Sequence, residues 1–327
     1  MFQLQQKSQS ERHFDLACAL LAILAPAAYG YGMRIWLLAG IAFAVSLLTE
    51  WGCLYVRKQT FTRDHLDAGL YGVILMLLLP ASVPLSLLIM SCIFANIFGR
   101  QLFGGRENPV VHPAAAGYCF ALLNQRAAVT MFPKAFAPIP LGGAAEGTLT
   151  EGVSAAFNRG LGFEGYPADW LIGLPNQPAG TGSVVLLAVV AAVLILRRSA
   201  SGWVILPAMA FVCFSGIAFG FFRSPAEQLA GSCLANQMLF SIIFLHGDSA
   251  YAPRQLGGML YGVTASGAAI ILTRLLYVTD APVMLAVILS PAALALRNMM
   301  QIYLTQKGGN ADAERQTKAA VPESGHR

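Results

Sequence analysis

Polar side chains that lie inside long apolar segments are the residues of this sequence best placed to do chemistry. An ionised side chain at the centre of a bilayer costs about 2.5–3.5 kcal/mol, so such residues usually have a function or a specific partner. Most of the candidates lie within a turn or two of a segment end, where snorkelling or helix-end hydrogen bonds give them a structural role. Asn96, Asn236 and Gln237 lie deeper, and amides at such depth either join helices or contact a polar ligand. The full set is Glu50, Asp67, Asn96, Asn124, Asn236, Gln237 and Arg274.

The connector over residues 104–113 combines glycine and proline in an unusual way. Gly104 and Gly105 permit a positive φ or a close backbone approach, whereas Pro109 and Pro113 exclude a regular helix until Pro113 can begin the next segment. Such a connector can re-enter a membrane and present backbone groups to a cofactor. From spacing alone, an ordinary surface loop is the alternative.

The cysteines and histidines do not form a metal or haem pattern. Six cysteines lie inside apolar segments without a Cys-x-x-Cys pair, which favours a role as small core residues. Five histidines lie near segment ends without paired spacing. The sequence also lacks a phosphate-binding loop, a dinucleotide fingerprint, a His-Glu-x-x-His zinc motif and a nucleophile elbow. We therefore predict no metal site, assign no catalytic residue, and exclude a self-contained enzyme of the soluble type.

The elements that position these residues are apolar helices. Apolar residues make up 56% of the chain and charged residues 11%, a balance that soluble domains do not have. The net charge of +5 comes from Lys and Arg clusters between apolar segments, which indicates a membrane surface and no nucleic-acid partner. An all-α integral membrane protein with about ten spans is predicted, since one crossing needs about 20 apolar residues. The candidate spans are residues 14–31, 34–56, 67–80, 83–99, 113–132, 183–196, 203–222, 228–246, 256–276 and 281–303.

Lys and Arg are unevenly distributed about these spans. Fifteen lie on the side of the N-terminus and six on the opposite side, which places both termini in the cytoplasm. The first apolar segment lacks a convincing cleavage site and is predicted to be a retained helix. The predicted organisation is a cytoplasmic N-terminus (1–13), a first membrane half (14–132), a long periplasmic loop (133–182), a second membrane half (183–303) and a disordered cytoplasmic tail (304–327).

A short internal repeat relates the two halves. Arg-Gln-Leu-Phe-Gly-Gly at 100–105 recurs as Arg-Gln-Leu-Gly-Gly at 254–258, each between two apolar spans. Halves of five spans each must enter the membrane from opposite sides, so the repeat predicts a 5+5 inverted architecture like that of urea channels. Chance recurrence in a biased sequence is the alternative.

Residues 103–118 resemble a segment of the RnfD/NqrB family, with Phe-Gly-Gly at 103–105, Asn-Pro at 108–109 and Gly-Tyr at 117–118. The ten-span layout and the Pro-Arg…Gly…Tyr-Gly pattern at 253–262 are also similar, and the resemblance is closer to RnfD than to NqrB. Family members are membrane subunits of ion-translocating ferredoxin:NAD and NADH:quinone oxidoreductase complexes. The resemblance implies a multi-pass translocase subunit of the bacterial inner membrane that needs partner subunits and is inactive alone.

The resemblance also implies flavin. Family members usually carry FMN joined by a phosphoester to the threonine of an Asp-Gly-x-Ser-x-Ala-Thr motif in the outer loop. The best match here is residues 151–157, which keep the Gly, Ser and Ala positions but place Phe157 at the acceptor position. A phenylalanine has no oxygen, so covalent FMN is not expected there, and the fallback acceptor Thr150 breaks the rest of the motif. A second, non-covalent flavin, riboflavin or FMN, is also implied; its candidate contacts are Gly104, Gly105, Asn108, Pro109, Asn236 and Gln237.

Three functions stay open from the sequence. The first is an RnfD-like subunit of a complex that links NADH with ferredoxin or flavodoxin, holds flavin and forms part of the electron and ion path. The second is a small-solute channel or transporter of the same architecture, since a fold does not fix a function. The third is an assembly scaffold without flavin. No single acidic residue stands out as the ion site, and the coupling ion, Na⁺ or H⁺, stays open.

Overall fold

A computed structural model describes most of the chain. The described residues are 9–133, 139–141, 143, 149–159, 176–218, 229, 231–233, 235–253, 255–300 and 302–303, without the side chain of residue 107. The tail predicted to be disordered, residues 304–327, lies outside the described residues, as does Arg254 of the repeat.

The described residues are mostly helical. The first half contains α1 (Gln9–Tyr31), α2 (Arg34–Val56), α3 (Asp67–Leu78), α4 (Leu85–Gly99), α5 (Pro113–Asn124) and α6 (Arg126–Thr130). A two-stranded antiparallel sheet follows, formed by β1 (Met131–Pro133) and β2 (Leu149–Glu151), and then α7 (Val153–Asn158). The second half contains α8 (Val184–Leu196), α9 (Gly202–Ala218), α10 (Ala235–His246), α11 (Gln255–Leu275), α12 (Ala281–Ile288) and α13 (Ser290–Met300).

Several of these helices are membrane spans, and the chain is a multi-pass membrane protein. Four helical segments of the described chain are long and apolar enough to cross a bilayer by themselves: Gln9–Tyr31, Arg34–Val56, Leu85–Phe103 and Gln255–Leu275. The pair α12 and α13, bent by 50°, is a fifth candidate. The remaining predicted spans form shorter helices, such as α8 and α10, so length alone supports fewer complete crossings than the ten predicted.

Proline and backbone conformation set where the short helices begin and break. Pro113 and Pro282 lie in the first turns of α5 and α12, where a missing backbone N–H leaves no hydrogen bond unmade. In α10, Asn236 and Gln237 have φ values of 60° and 56°, a left-handed conformation that residues other than glycine rarely adopt. The helix therefore begins with a break and ends in a π-helical turn at Ile242–His246.

The helices pack closely through small residues. In the first half, α2 packs on α3 and α4, and α4 packs on α5; in the second half, α9 packs on α11. An added Cβ at Gly72 would lie 2.5 Å from the carbonyl oxygen of Ala42, and one at Gly262 would lie 2.5 Å from that of Val204. Close backbone approach of this kind is typical of helices in membranes. The halves meet where α5 contacts α12.

We call the two ends of the bundle inner and outer, after the predicted orientation. The inner end contains the C-terminal part of α2 and the start of α3; the outer end contains Arg34, β1 and β2. Arg34 is buried, and its guanidinium donates to the carbonyl oxygens of Ala81 and Val83, each at 2.8 Å, and to those of Pro140 and Leu141. This cation ties the α3–α4 connector to the outer loop.

Candidate functional site

A network of buried charges occupies the inner end. Arg100, at the end of α4, lies 2.8 Å from an oxygen of Asp67 and 3.4 Å from one of Glu50, and all three side chains are nearly inaccessible to solvent. Arg106 approaches Asp67 at 3.4 Å and Asp64 at 3.2 Å. Opposite charges at these distances offset part of the free energy that burial of each ion costs. Two of the sequence candidates, Glu50 and Asp67, thus have a partner in common.

Removal of the central cation should destabilise this network strongly. Arg100→Gln leaves Glu50 and Asp67 buried without a cation between them, which we expect to lower the stability of the protein by about 3–5 kcal/mol. The measurement is the midpoint of thermal aggregation of the detergent-solubilised protein. Arg106→Gln is the matched control, since that side chain is 19% exposed, its partner Asp64 is 48% exposed, and its other partner Asp67 keeps the contact with Arg100. Equal midpoints for the two variants would contradict the central role of Arg100.

The connector predicted from its glycines and prolines is anchored to the same network. The side-chain amide of Gln101 donates to Glu50 at 2.6 Å, and Arg57 donates to the carbonyl oxygen of Gln101. Gly104 and Gly105 have φ values of 105° and 80°, the positive values that the sequence predicted as an option. An added Cβ at Gly105 would lie 3.6 Å from the guanidinium of Arg57. The connector is therefore an ordered turn at the inner end.

His112 caps the start of α5 and faces the second half. Its Nε2 lies 3.7 Å from Oδ2 of Asp248, a carboxylate in the connector after α10. Tyr71 of α3 donates to the same carboxylate at 2.8 Å, and the rings of Tyr71 and Tyr251 pack against the His112 ring. Burial alone would raise the pKa of Asp248, but His112 and Arg12 lower it to about 2. Asp248 is therefore a carboxylate at neutral pH.

A second buried carboxylate lies at the start of α12. Tyr118, in the middle of α5, donates to Oδ1 of Asp280 at 2.5 Å and accepts a hydrogen bond from the Gln237 amide at 3.0 Å. Thr279 also donates to Asp280, at 3.1 Å. Burial raises the pKa of Asp280, and the hydrogen bonds from Tyr118 and Thr279 only partly offset this effect. Of the two carboxylates at the interface between the halves, Asp248 thus has a lowered pKa and Asp280 a raised one.

His246 lies beside both of these sites. Its Nδ1 lies 3.0 Å from the hydroxyl of Tyr261, and its Nε2 lies 3.0 Å from the carbonyl oxygen of Pro282, two residues after Asp280. His246 also interacts electrostatically with His112. His246 ends the π-helical turn of α10, two residues before Asp248.

The outer loop docks on the broken start of α10. Asn158 and Asn236 exchange side-chain amide hydrogen bonds of 2.8 and 3.0 Å, and Ser154 accepts from the backbone N–H of Asn236 at 2.7 Å. Two consecutive left-handed residues are unfavourable, and these bonds hold the first of them in place. The serine position of the flavin motif therefore has a structural role in this chain.

The acceptor position of the flavin motif is closed. Phe157 is 3% exposed, and the guanidinium carbon of Arg274 lies 4.7 Å from the centre of its ring. Thr150, the fallback acceptor, donates to the carbonyl oxygen of Phe132 at 3.3 Å and accepts from the Asn176 amide at 2.8 Å. Neither residue presents a free hydroxyl, so the residues here do not fit a covalent flavin.

The structure divides the residues predicted to contact a non-covalent flavin between two places. The first group, which comprises Gly104, Gly105, Asn108 and Pro109, precedes the N-terminus of α5. The second group comprises Asn236 and Gln237, which bond to the outer loop and to the middle of α5. The Asn236 amide is occupied by Asn158, and these residues do not form one flavin cradle in the described part of the chain.

Sequence reasoning missed His112, Asp248, Tyr118 and Asp280 as one interface. Asp248 and Asp280 stand next to apolar segments, in His-Gly-Asp at 246–248 and Asp-Ala-Pro at 280–282. An acidic residue at a segment edge is a weak signal, because most such residues face water. Of the other candidates, Asn96 and Asn124 donate to the carbonyl oxygens of Cys92 and Phe120 one turn earlier, a structural role. No group of three or more potential metal ligands occurs among the described residues.

Comparison with known proteins gives a consistent result. The family model described as "NQR2, RnfD, RnfE family" matches residues 2–302. Curated relatives whose names make them subunits of an ion-translocating oxidoreductase complex include those of Yersinia enterocolitica, 33% identical over 131 residues, and Pectobacterium carotovorum, 31% identical over 141 residues. The relative from Vibrio cholerae is 30% identical over 171 residues, which are 51% of this chain and 44% of that protein. The first two matches cover 39% and 42% of this chain and 36% and 38% of those relatives, so the matched segments span about two fifths of each curated protein.

Proposed function

Because this chain belongs to the NQR2, RnfD, RnfE family, we propose that it is a membrane subunit of a redox-driven, ion-translocating oxidoreductase complex, inactive alone. The match over residues 2–302 is the observation that carries the proposal. The relatives' names, which describe subunits of an ion-translocating oxidoreductase complex, support it.

The finer proposal concerns place and partners. The chain lies in the inner membrane of a bacterium with both termini in the cytoplasm, and it binds other subunits of a complex that links NADH with ferredoxin or flavodoxin. The distribution of Lys and Arg supports this orientation. The short helices α3, α5, α10 and α12 support ten spans in a 5+5 inverted repeat, because broken helices are typical of such repeats.

A flavin would supply one- and two-electron transfer when bound. The buried Phe157 and the occupied Thr150 do not fit a covalent flavin, and Asn236 is engaged with Asn158. We propose that a flavin held by this chain is non-covalent, riboflavin or FMN, as the resemblance implies. This chain then provides the membrane scaffold and the buried charges that an ion meets on its way across.

A small-solute channel of the same architecture is the competing function. Between the halves, Tyr118 and Phe240 are fully buried, and Tyr118 is bonded to both Asp280 and Gln237. A neutral solute would have to open these bonds to pass. The interior therefore favours a route for a small ion that exchanges between polar groups.

The proposed function is tested on the intact complex. With an affinity tag on this chain, we expect the other subunits to co-purify from gently solubilised membranes. Liposomes that contain the complex should develop a membrane potential when NADH and an oxidised ferredoxin or flavodoxin, or the reverse pair, are supplied. Membranes from a strain without this chain are the control and should show no such potential. A chain that purifies alone and conducts a neutral solute such as urea would contradict the proposal and support the channel.

A further inference from the structure

Helix α5 carries polar contacts to the second half at two depths. His112, its cap, faces Asp248, and Tyr118, six residues later, bonds to Asp280. Six residues of α-helix rise about 9 Å, so the two contacts lie at different depths along one helix. Ala114, Ala115 and Ala116 fill the space between them on α5.

The inner contact contains an unpartnered buried base. His112 is 2% exposed, and neither of its ring nitrogens has a hydrogen-bond partner among the described residues. Its Nε2 points at Asp248 at 3.7 Å, which is longer than a hydrogen bond and short enough to stabilise a positive charge on the ring. The groups that face this pair are Tyr71, Tyr251 and Arg12, with Asp67 beyond them.

This contact opens towards the inner end. A recess lined by Arg12, His13, Asp67, Tyr71 and Asp248 reaches the carboxylate from that side. The rest of its lining is largely apolar, as at Leu16 and Phe244, and its charged groups lie on the side of Asp248. Water that enters the recess can therefore exchange protons at that carboxylate.

The outer contact contains a carboxylate whose pKa is raised by burial. Asp280 is 6% exposed and accepts hydrogen bonds from Tyr118 and Thr279, while Arg126 is the charged residue that interacts with it. Gln237 is 5% exposed, and its side-chain NH₂ group donates to Tyr118. The side-chain amide oxygen, Oε1, has no hydrogen-bond partner among the described residues. That free acceptor can take up a hydrogen bond when the Tyr118 hydroxyl changes partner.

The groups around both carboxylates donate hydrogen bonds to them in this arrangement. Asp248 accepts hydrogen bonds from the Tyr71 hydroxyl and the Ala250 backbone N–H. Asp280 accepts hydrogen bonds from the hydroxyls of Tyr118 and Thr279. A metal cation such as Na⁺ needs several oxygen acceptors in its first shell, and hard cations in proteins are bound in this way. Donor groups and an imidazole suit a proton.

We infer that His112 and Asp280 are the proton-carrying groups of a path across the interface between α5 and the second half. The inference rests on the proposed function and names its ion as H⁺. A ring nitrogen of His112 accepts a proton from the inner recess and forms an N–H bond, and the imidazolium pairs with Asp248. The proton then leaves that nitrogen, crosses the interface through water and forms an O–H bond on Asp280. The reverse order carries the proton inwards.

The test uses the intact complex in liposomes with an entrapped pH-sensitive dye, in Na⁺-free choline medium. We expect redox turnover to move protons in this medium and to move no ²²Na⁺ when Na⁺ is added. In His112→Gln and Asp280→Asn, the rate of proton movement should fall by about a hundredfold, as for loss of a positioned proton-transfer group. Asp280→Glu, which keeps the carboxylate, should retain part of the rate.

Matched controls outside the path are His65→Gln, which repeats the change at His112, and Glu151→Gln, which like Asp280→Asn replaces a carboxylate by an amide. His65 bonds to Thr62 at the surface, and Glu151 is 58% exposed at the outer end, so both variants should transport as the wild type does. Wild-type transport that requires Na⁺ overturns the inference, whether or not a variant assembles. Proton movement at the wild-type rate in both path variants also overturns it. A wild-type complex that moves no ion at all refutes the proposed function instead.

Discussion

The protein purified with its complex should carry no flavin joined through a phosphoester. We expect a colourless acid-precipitated chain, no flavin fluorescence of its band in a denaturing gel, and an unmodified mass for the peptide that bears residues 144–160. The physical reason is that Phe157 lacks an oxygen and is buried beneath the guanidinium of Arg274. A relative with a covalent flavin should show the colour, the fluorescence and the added mass in every chain. We expect this protein to show none of them.

A flavin attached at the fallback acceptor, Thr150, would contradict this expectation most directly. Thr150 lies on β2, and its hydroxyl donates to Phe132 and accepts from Asn176, so attachment there would remove the proton of the first of these bonds. If the wild-type peptide carried a flavin phosphate and Thr150→Ala removed it, the argument from Phe157 would be wrong. Yellow colour released into the acid supernatant would instead indicate a non-covalent flavin and agree with the argument from Phe157.

The apolar segments and their ends could be read from the sequence because they depend on local properties. Hydrophobic length predicted the long helices α1, α2, α4 and α11, and proline at 113 predicted where α5 begins. The positive φ values of Gly104 and Gly105 follow from the same kind of local argument. The helices α3 and α5 have only 12 residues each, and inside the bundle such short helices can satisfy their backbone hydrogen bonds. The length of an apolar segment in the sequence could not distinguish these short helices from complete spans.

The contacts of the second half with the outer loop and with the first half could not be read from the sequence, because they join residues far apart in the chain. Asn158 and Asn236 are 78 positions apart, and Tyr118 and Asp280 are 162 positions apart. Each of these side chains also has an ordinary structural explanation when considered singly. Only the packing of α5 on α12 shows that Asp280 is buried and that a tyrosine is its partner. A position deep in an apolar segment makes an amide a candidate site residue, but its hydrogen-bond partners in the folded protein determine its role.

The packing of α5 leads to the second large effect. Gly117→Val should prevent stable assembly, because an added Cβ would lie 2.7 Å from a methyl group of Leu75, 2.9 Å from Cβ of Ala95 and 2.9 Å from the carbonyl oxygen of Ser91. Real Cβ atoms do not approach other atoms so closely, so α5 would have to move away from α3 and α4. That movement would also pull Tyr118 from Asp280. We expect a loss of about 3 kcal/mol or more, the upper end of overpacking effects, measured as the thermal aggregation midpoint and the monodisperse fraction in detergent.

Gly40→Val is the matched control for this change. Gly40 lies in α2, and an added Cβ there would meet no heavy atom within 4 Å, so the same side chain faces the lipid at no steric cost. We expect its midpoint and monodisperse fraction to stay close to the wild-type values. Gly117→Ala should lie between the two valine variants, because it adds the colliding Cβ without the two further methyl groups. If Gly117→Val and Gly40→Val behaved alike, α5 could not be packed on α3 and α4 as described, and the proton path along it would lose its scaffold.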